Sequence, residues 1–293
     1  MMNKNPDKIS VIIPVYNEEK ALKGVLSEIA ASKGEVDIDE IIVVDDASTD
    51  NSGLIAKDSG ARVIRHKKNL GYGASLKTGI RNARNEVLVF LDGDGQHNPG
   101  DIKKMVEKLN EGNDMVIGER MNARELAESR SLGKFVLKWV TNFIADTKIK
   151  DVNCGFRATR KSVIEKYLGL LSDQFSFSVT STIVFIKSGL SIEFCGIMAR
   201  KRLGVSHVKQ FRDGSRIIVL ILRLIALFDP IRIFFSIGIF LFTIGAVYGA
   251  YKFVTVKQGL SIGALIIVIS GILSVLLGII CDQIASLRLE KYK

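Results

Sequence analysis

The stretch VLVFLDGDGQHNP (residues 87–99) starts as an apolar strand and ends in two aspartates, Asp92 and Asp94, separated by Gly93 and followed by Gly95, Gln96 and His97. In an extended segment residues i and i+2 project to the same side, so both carboxylates are expected to face one point. Two like charges at close range repel unless a proton or a divalent cation lies between them. An oxygen-only set made of Asp92, Asp94 and the Gln96 amide suits Mg²⁺ or Mn²⁺, which keep water ligands and bind substrate phosphates. An isolated D-x-D is common in surface turns; its position at the carboxyl end of a strand gives it weight.

The same alternation of apolar run and polar break recurs through the first 120 residues. SVIIPVY (10–16), IIVVDD (41–46), ARVIRH (61–66), EVLVFLD (86–92) and DMVIGE (114–119) read as strands. Helices are expected over 18–32, from about 52, over 74–83 and over 100–111. Near-continuous Val/Ile/Leu runs separated by helices indicate an α/β domain with a parallel sheet covered on both faces. Ligands of such sheets bind beyond the carboxyl ends of the strands. Those ends carry Tyr16-Asn17-Glu18, Asp45-Asp46, Asp92-Gly93-Asp94 and Glu119-Arg120. Residues 120–210 are less regular, with a helix expected at 131–145 and a turn-rich stretch around Asn153-Cys154-Gly155.

Beyond this domain the composition changes. Nineteen residues between Arg232 and Lys252, and 24 between Lys257 and Asp282, carry no formal charge. A helix needs about 20 mostly apolar residues to cross a bilayer. Both runs are apolar all round, so a transmembrane hairpin is expected over 231–285, with spans at about 233–253 and 260–282. Residues 1–212 form the expected α/β domain, 213–230 an interfacial amphipathic segment, and 286–293 a basic tail. Residues 201–232 hold seven Lys/Arg against Asp213 and Asp229, a net of +5 out of +10 for the chain. With no signal-peptide pattern at the N-terminus, and basic flanks on both sides of the hairpin, the α/β domain and both termini are expected on the cytoplasmic side of the membrane. The basic belt is suited to anionic lipid. Nucleic acid is not an expected partner, because the basic residues hug the hairpin without interleaved aromatics. Cys154, Cys195 and Cys281 have no metal-ligand spacing and read as free thiols.

GYGASLKTG (71–79) fails both the P-loop and the dinucleotide pattern at Leu76. Gly71 and Gly73 read instead as a tight turn into a helix N-terminus, which is able to help position an anion. His66 and Trp139 read as packing residues, and His97 is left between a role at the reacting groups and a cap.

PVYNEE (14–19), VVDDASTD (43–50), NLGYGAS (69–75), DGDGQH (92–97), Gly118-Glu119-Arg120 and DVNCGFR (151–157) occur in an order that resembles family 2 glycosyltransferases of the GT-A fold. The likeness is greatest to dolichyl- and polyprenyl-phosphate mannose or glucose synthases, and it spans about 210 residues. It implies a nucleotide site lined by Pro14, Tyr16, Asn17 and Glu18, with Asp46, together with Asp45, reaching base or ribose. It also implies metal ligation by Asp92, Asp94 and Gln96, with Asp94, Arg120 and Asp151 as catalytic residues. Arg120, Lys134 (with Arg130 as its substitute), Arg202 and Ser206 would meet phosphate. The donor would be a GDP- or UDP-linked sugar, mannose or glucose, and the acceptor a dolichyl or undecaprenyl phosphate in the membrane; self-association is left open.

The chain departs from the pattern at Ser178, where relatives carry an acid, at His207, where they carry lysine, and at Gly93 and Gly95, which are expected to loosen the acidic loop. A processive polysaccharide synthase of the same fold would need a Q-x-x-R-W element, which Lys138-Trp139 does not supply. A non-catalytic nucleotide-sugar-binding scaffold would have no use for the Asp pair and Arg120.

Overall fold

A computed structural model describes residues 8–122, 141–147, 149–202, 228–256 and 261–290. The chain divides into two compact units, Met1–Gly214 and Ser215–Lys293.

The first unit is a seven-stranded sheet with helices. Strands β1 (Ile9–Val15), β2 (Ile38–Asp45), β3 (Arg62–Arg65), β4 (Val87–Phe90) and β5 (Met115–Arg120) fall where the apolar runs place them. Helices α1 (Glu19–Ser32), α2 (Ser52–Asp58), α3 (Tyr72–Asn82) and α4 (Ile102–Asn110) connect them. Helix α1 buries Ala21, Leu22, Val25, Leu26 and Ile29, the face expected from their spacing. Helix α3 packs on β1 and β2, and α4 on β5. Strands β1, β2 and β4 are buried along nearly their whole length, as strands covered on both sides must be.

Two strands lie outside those expected. β6 (Arg157–Arg160) runs antiparallel between β4 and β5, and β7 (Ile192–Ile197) lies parallel to β5 at the edge. The order is β3-β2-β1-β4-β6-β5-β7, a mostly parallel sheet. RATR has no apolar alternation of its own; ladder pairing on both sides, not its side chains, makes it a strand. It is followed by α5 (Lys161–Lys166) and α6 (Phe177–Lys187). Of the helix expected at 131–145, residues 141–145 are helical and the rest lie outside the described residues.

Pro14 is tolerated inside β1 because the ladder to β4 covers only Ile9–Ile12. Past that point β1 and β4 part, and the loops after β1, β2, β4 and β5 open onto one rim.

The second unit is a hairpin of α7 (Pro230–Val256) and α8 (Ile262–Glu290), both long and apolar enough to cross a membrane. At 1.5 Å per residue each exceeds the ~30 Å hydrocarbon core; α7 runs past the expected 233–253 at both ends, and α8 runs past 282 at its C-terminal end. Gly238 and Gly271 let the helices touch through their backbones, and Ser274 Oγ donates to Phe234 O at 3.0 Å. Most of the segment expected at 213–230 lies outside the described residues.

Candidate active site

Strand β4 stops at Phe90, so Asp92 and Asp94 stand in a turn rather than on a continuing strand. This corrects the extended-segment expectation, since the pleat of β4 does not reach either carboxylate. Gly93 is buried: a Cβ there would lie 3.1 Å from Val15 Cγ2 and 3.5 Å from Ile13 Cγ2. Packing against β1 thus holds a loop that was expected to be loosened by its glycines.

Asp92 accepts from Tyr72 Oη at 2.9 Å, and His97 Nε2 lies 3.4 Å from its other oxygen. Burial pushes its carboxyl up, but His97, Tyr72 and Arg120 more than offset this and hold it below the usual carboxylate range. Asp94 is raised instead, by burial and then by the charge of Asp92. Its Oδ1 accepts from Gln96 N at 3.0 Å, and its Oδ2 lies 3.4 Å from Arg202 Nη1. The other arm of Arg202 donates to Glu18, while its Nε is buried without a hydrogen-bond partner among the described residues. Glu18 is pushed up to about 7, chiefly by burial and against the pull of Arg202.

Arg120, the last residue of β5, donates from Nε and Nη2 to the two oxygens of Asp151 at 2.7 and 3.0 Å. This bidentate pair counters the burial of both groups, keeping Asp151 ionised below its ordinary range and raising Arg120. The loop carrying Asp151 then passes against the acidic turn. A Cβ on Gly155 would meet Asp92 Oδ2 at 2.4 Å and Tyr72 Oη at 2.7 Å, and the Phe156 ring lies 5.5 Å from that of His97.

The residues expected at the nucleotide divide into two groups. Tyr16 and Glu18 are at the rim, with Glu18 turned toward Arg202. Asn17 adopts φ 56°, and its Oδ1 accepts from Thr49 N at 2.8 Å, which ties the β1 and β2 loops together. Asp45 is fully buried and accepts from Ser48 N at 2.8 Å. Asp46 accepts from the N–H groups of Leu70 and Gly71, both at 2.8 Å, and from His66 Nδ1 at 2.7 Å. The anion held at the start of α3 by Gly71 is therefore Asp46 itself. His66, expected as packing, is a polar brace between Asp46 and Thr78. Pro14 is buried inside the sheet. Gln96 enters through its main chain, its carbonyl accepting from Arg200 N at 2.7 Å. Lys134, Arg130, Ser206, His207 and Trp139 lie outside the described residues.

Tyr72 and Gly155 were not singled out from sequence; the only signal for either was its place inside a motif, NLGYGAS or DVNCGFR. Among the described residues no third His, Cys, Asp or Glu joins the pair in a metal-holding group. The pair nevertheless fits a hydrated Mg²⁺ or Mn²⁺ that takes its remaining ligands from phosphate and water. Two carboxylates share a desolvated turn, one of them is raised by the other, and a guanidinium already stands against it.

Comparison with known proteins bears on the family and the fold. Residues 229–287 match the GtrB C-terminal hairpin. Glycosyltransferase AglJ of Haloferax volcanii is 26% identical over 301 residues, covering 98% of this chain and 97% of the relative. A UDP-N-acetylglucosamine–dolichyl-phosphate N-acetylglucosaminyltransferase of Methanococcus voltae is 30% identical over 57% of this chain and 73% of its own length. Glucosyl-3-phosphoglycerate synthase of Mycobacterium tuberculosis, solved with Mn²⁺, UDP and phosphoglyceric acid, shares the fold, with a TM-score of 0.61 at 21% identity over 74% of this chain and 78% of that one. Residues 10–168 match glycosyl transferase family 2, and with a GT-A sheet and an acidic turn at its rim the chain belongs to that family.

Proposed function

We propose that this enzyme moves a sugar from a GDP- or UDP-linked donor onto a polyprenyl phosphate, dolichyl or undecaprenyl, with inversion at the anomeric carbon. The observation that carries the reading is the joining in one chain of the Asp92/Asp94 turn and the Arg120–Asp151 pair with an apolar hairpin. The dolichyl-phosphate acceptor named for the Methanococcus relative supports it.

In this reading a phosphate oxygen of the acceptor attacks the anomeric carbon, the bond from that carbon to the donor diphosphate breaks, and the nucleoside diphosphate leaves. Asp92 and Asp94, with Gln96, would hold a divalent ion, which when bound supplies positive charge against the departing diphosphate. Arg120, fixed by Asp151, offers a permanent cation to phosphate, with Arg202 and, in sequence, Lys134 and Ser206 as further phosphate contacts. Asp151 is spent on orienting Arg120 and on keeping negative charge beside the sugar site. A phosphate monoester with a second pKa near ~6 arrives largely ionised, so no strong general base is required. The hairpin tethers the catalytic unit to the bilayer, and the basic run 201–232 favours a cytoplasmic, anionic face.

The test incubates membranes containing the full-length chain with radiolabelled GDP-mannose, UDP-glucose or UDP-N-acetylglucosamine and a short polyprenyl phosphate, following lipid-soluble label. Wild type is expected to transfer one of these sugars; Asp94→Asn or chelation of divalent metal is expected to abolish transfer. Undiminished transfer by Asp94→Asn under chelation overturns the metal role. Label that never enters the lipid fraction from any donor overturns the acceptor.

A further inference from the structure

Among the described residues Arg157 is the largest fully buried side chain, 1% exposed, and it opens β6 directly beneath the rim. Among the described residues no carboxylate lies within ion-pair range of its guanidinium. A buried cation without a paired acid is costly unless its donors are all used. Each of its three nitrogens has a partner. Nε donates to Cys154 O at 2.9 Å and Nη2 to Val152 O at 3.2 Å, while Nη1 donates to Ser181 Oγ at 3.0 Å and Thr182 Oγ1 at 2.9 Å. Two directions of the fork thus grip the main chain of the 151–156 loop, and the third grips α6.

That loop touches four groups of the acidic site: Asp151 orients Arg120, Gly155 abuts Asp92 and Tyr72, and Phe156 packs against His97. The hydroxyls that receive Arg157 are themselves fixed, since Ser181 Oγ and Thr182 Oγ1 both donate to Ser178 O. A lysine ammonium, a single point of charge, has no planar fork with which to span these acceptors.

We propose that Arg157 is a positioning residue for sugar transfer, holding the Asp151–Phe156 loop in register with Arg120, Asp92, Tyr72 and His97. The inference rests on the transfer reading above, but its first readout does not depend on turnover. Cys154 lies in the gripped loop and Cys195 in β7, and both are buried. Loosening the loop exposes Cys154 alone; general destabilisation exposes both.

The experiment uses the full-length chain in lipid nanodiscs and compares wild type, Arg157→Lys and the double variant Ser181→Ala/Thr182→Ala, which keeps the charge and removes two acceptors. Alkylation by N-ethylmaleimide is quantified separately for Cys154 and Cys195 by peptide mass spectrometry, and kcat and donor KM are measured in parallel. Arg157→Lys is expected to speed Cys154 alkylation about 10-fold or more with Cys195 unchanged. It is also expected to lower kcat about 100-fold while donor KM stays within about 3-fold. The double variant is expected to move both readouts in the same direction by less, and it decides the matter if Arg157→Lys does not fold. Wild-type kcat in the folded variants, or Cys154 and Cys195 opening together, overturns the proposal. A wild type that transfers no sugar defeats the functional reading, while the contrast between the two cysteines still judges the loop.

Discussion

Gly155→Ala asks the acidic site to accept one methyl group for which it has no space. An ideal Cβ would lie 2.4 Å from Asp92 Oδ2, 2.7 Å from Oδ1 and 2.7 Å from Tyr72 Oη. Ordinary contact begins at 3.4 Å, so the carboxylate or the loop has to retreat by about 1 Å. The carboxylate has little freedom to do so, because Tyr72 at 2.9 Å and His97 at 3.4 Å hold its two oxygens. Backbone strain does not confuse the result, since φ at Gly155 is not positive. A misplacement of ~1 Å at a reacting centre costs about 100-fold in rate, or about 2.7 kcal/mol of barrier. Overpacking adds roughly 1–3 kcal/mol of destabilisation, visible as a lower melting midpoint. The assay is transfer to polyprenyl phosphate at saturating donor, across a Mn²⁺ titration. A lower kcat is expected, together with a Mn²⁺ midpoint shifted to higher concentration. A folded Gly155→Ala enzyme with wild-type kcat and an unmoved Mn²⁺ midpoint would refute the argument that Asp92 is positioned by the absence of a side chain at 155.

Two further outcomes concern other parts of the molecule. Glu18 is raised from 4.5 to about 7, mainly by burial, so between those values the folded protein holds a proton that the unfolded chain has released. Stability contributed by this group therefore falls as pH rises through that window, and Glu18→Gln is expected to flatten the dependence of the melting midpoint on pH between about 4.5 and 7. An unchanged slope in calorimetry would count against it. In the hairpin, a Cβ on Gly271 would meet Gly238 O at 2.7 Å and Phe242 N at 2.8 Å, both backbone atoms that cannot swing aside. Gly271→Ala is expected to lower hairpin stability by about 1–3 kcal/mol in detergent. Gly263→Ala, with nothing nearer than 3.7 Å, should leave the midpoint unchanged; equal effects of the two would remove the close-packing explanation.

Much of this protein is written locally. Periodicity alone places β1 to β5 and the face of α1, because a strand covered on both sides must be apolar and a helix must bury one stripe. The hairpin follows from two long uncharged runs. The aspartate pair and Arg120 stand out because charged residues at strand ends are conspicuous in a short window of sequence, whereas Asp151 is marked only by the resemblance of DVNCGFR to a family motif.

What the tertiary structure decided depends on residues far apart in the chain. β6 is a strand because β4 and β5 offer it backbone partners on both sides, which RATR does not announce. Asp92 is held by Tyr72, 20 positions away, and Glu18 is met by Arg202, 184 positions away. Asp46 looks free to reach a ligand in sequence, yet the folded loop presents Leu70 N, Gly71 N and His66 to it. The role of Gly155 exists only once Asp92 and Tyr72 arrive beside it. Composition and period are properties of a segment, whereas hydrogen-bond satisfaction and the room for a methyl group belong to the packed whole, so only folding could settle them.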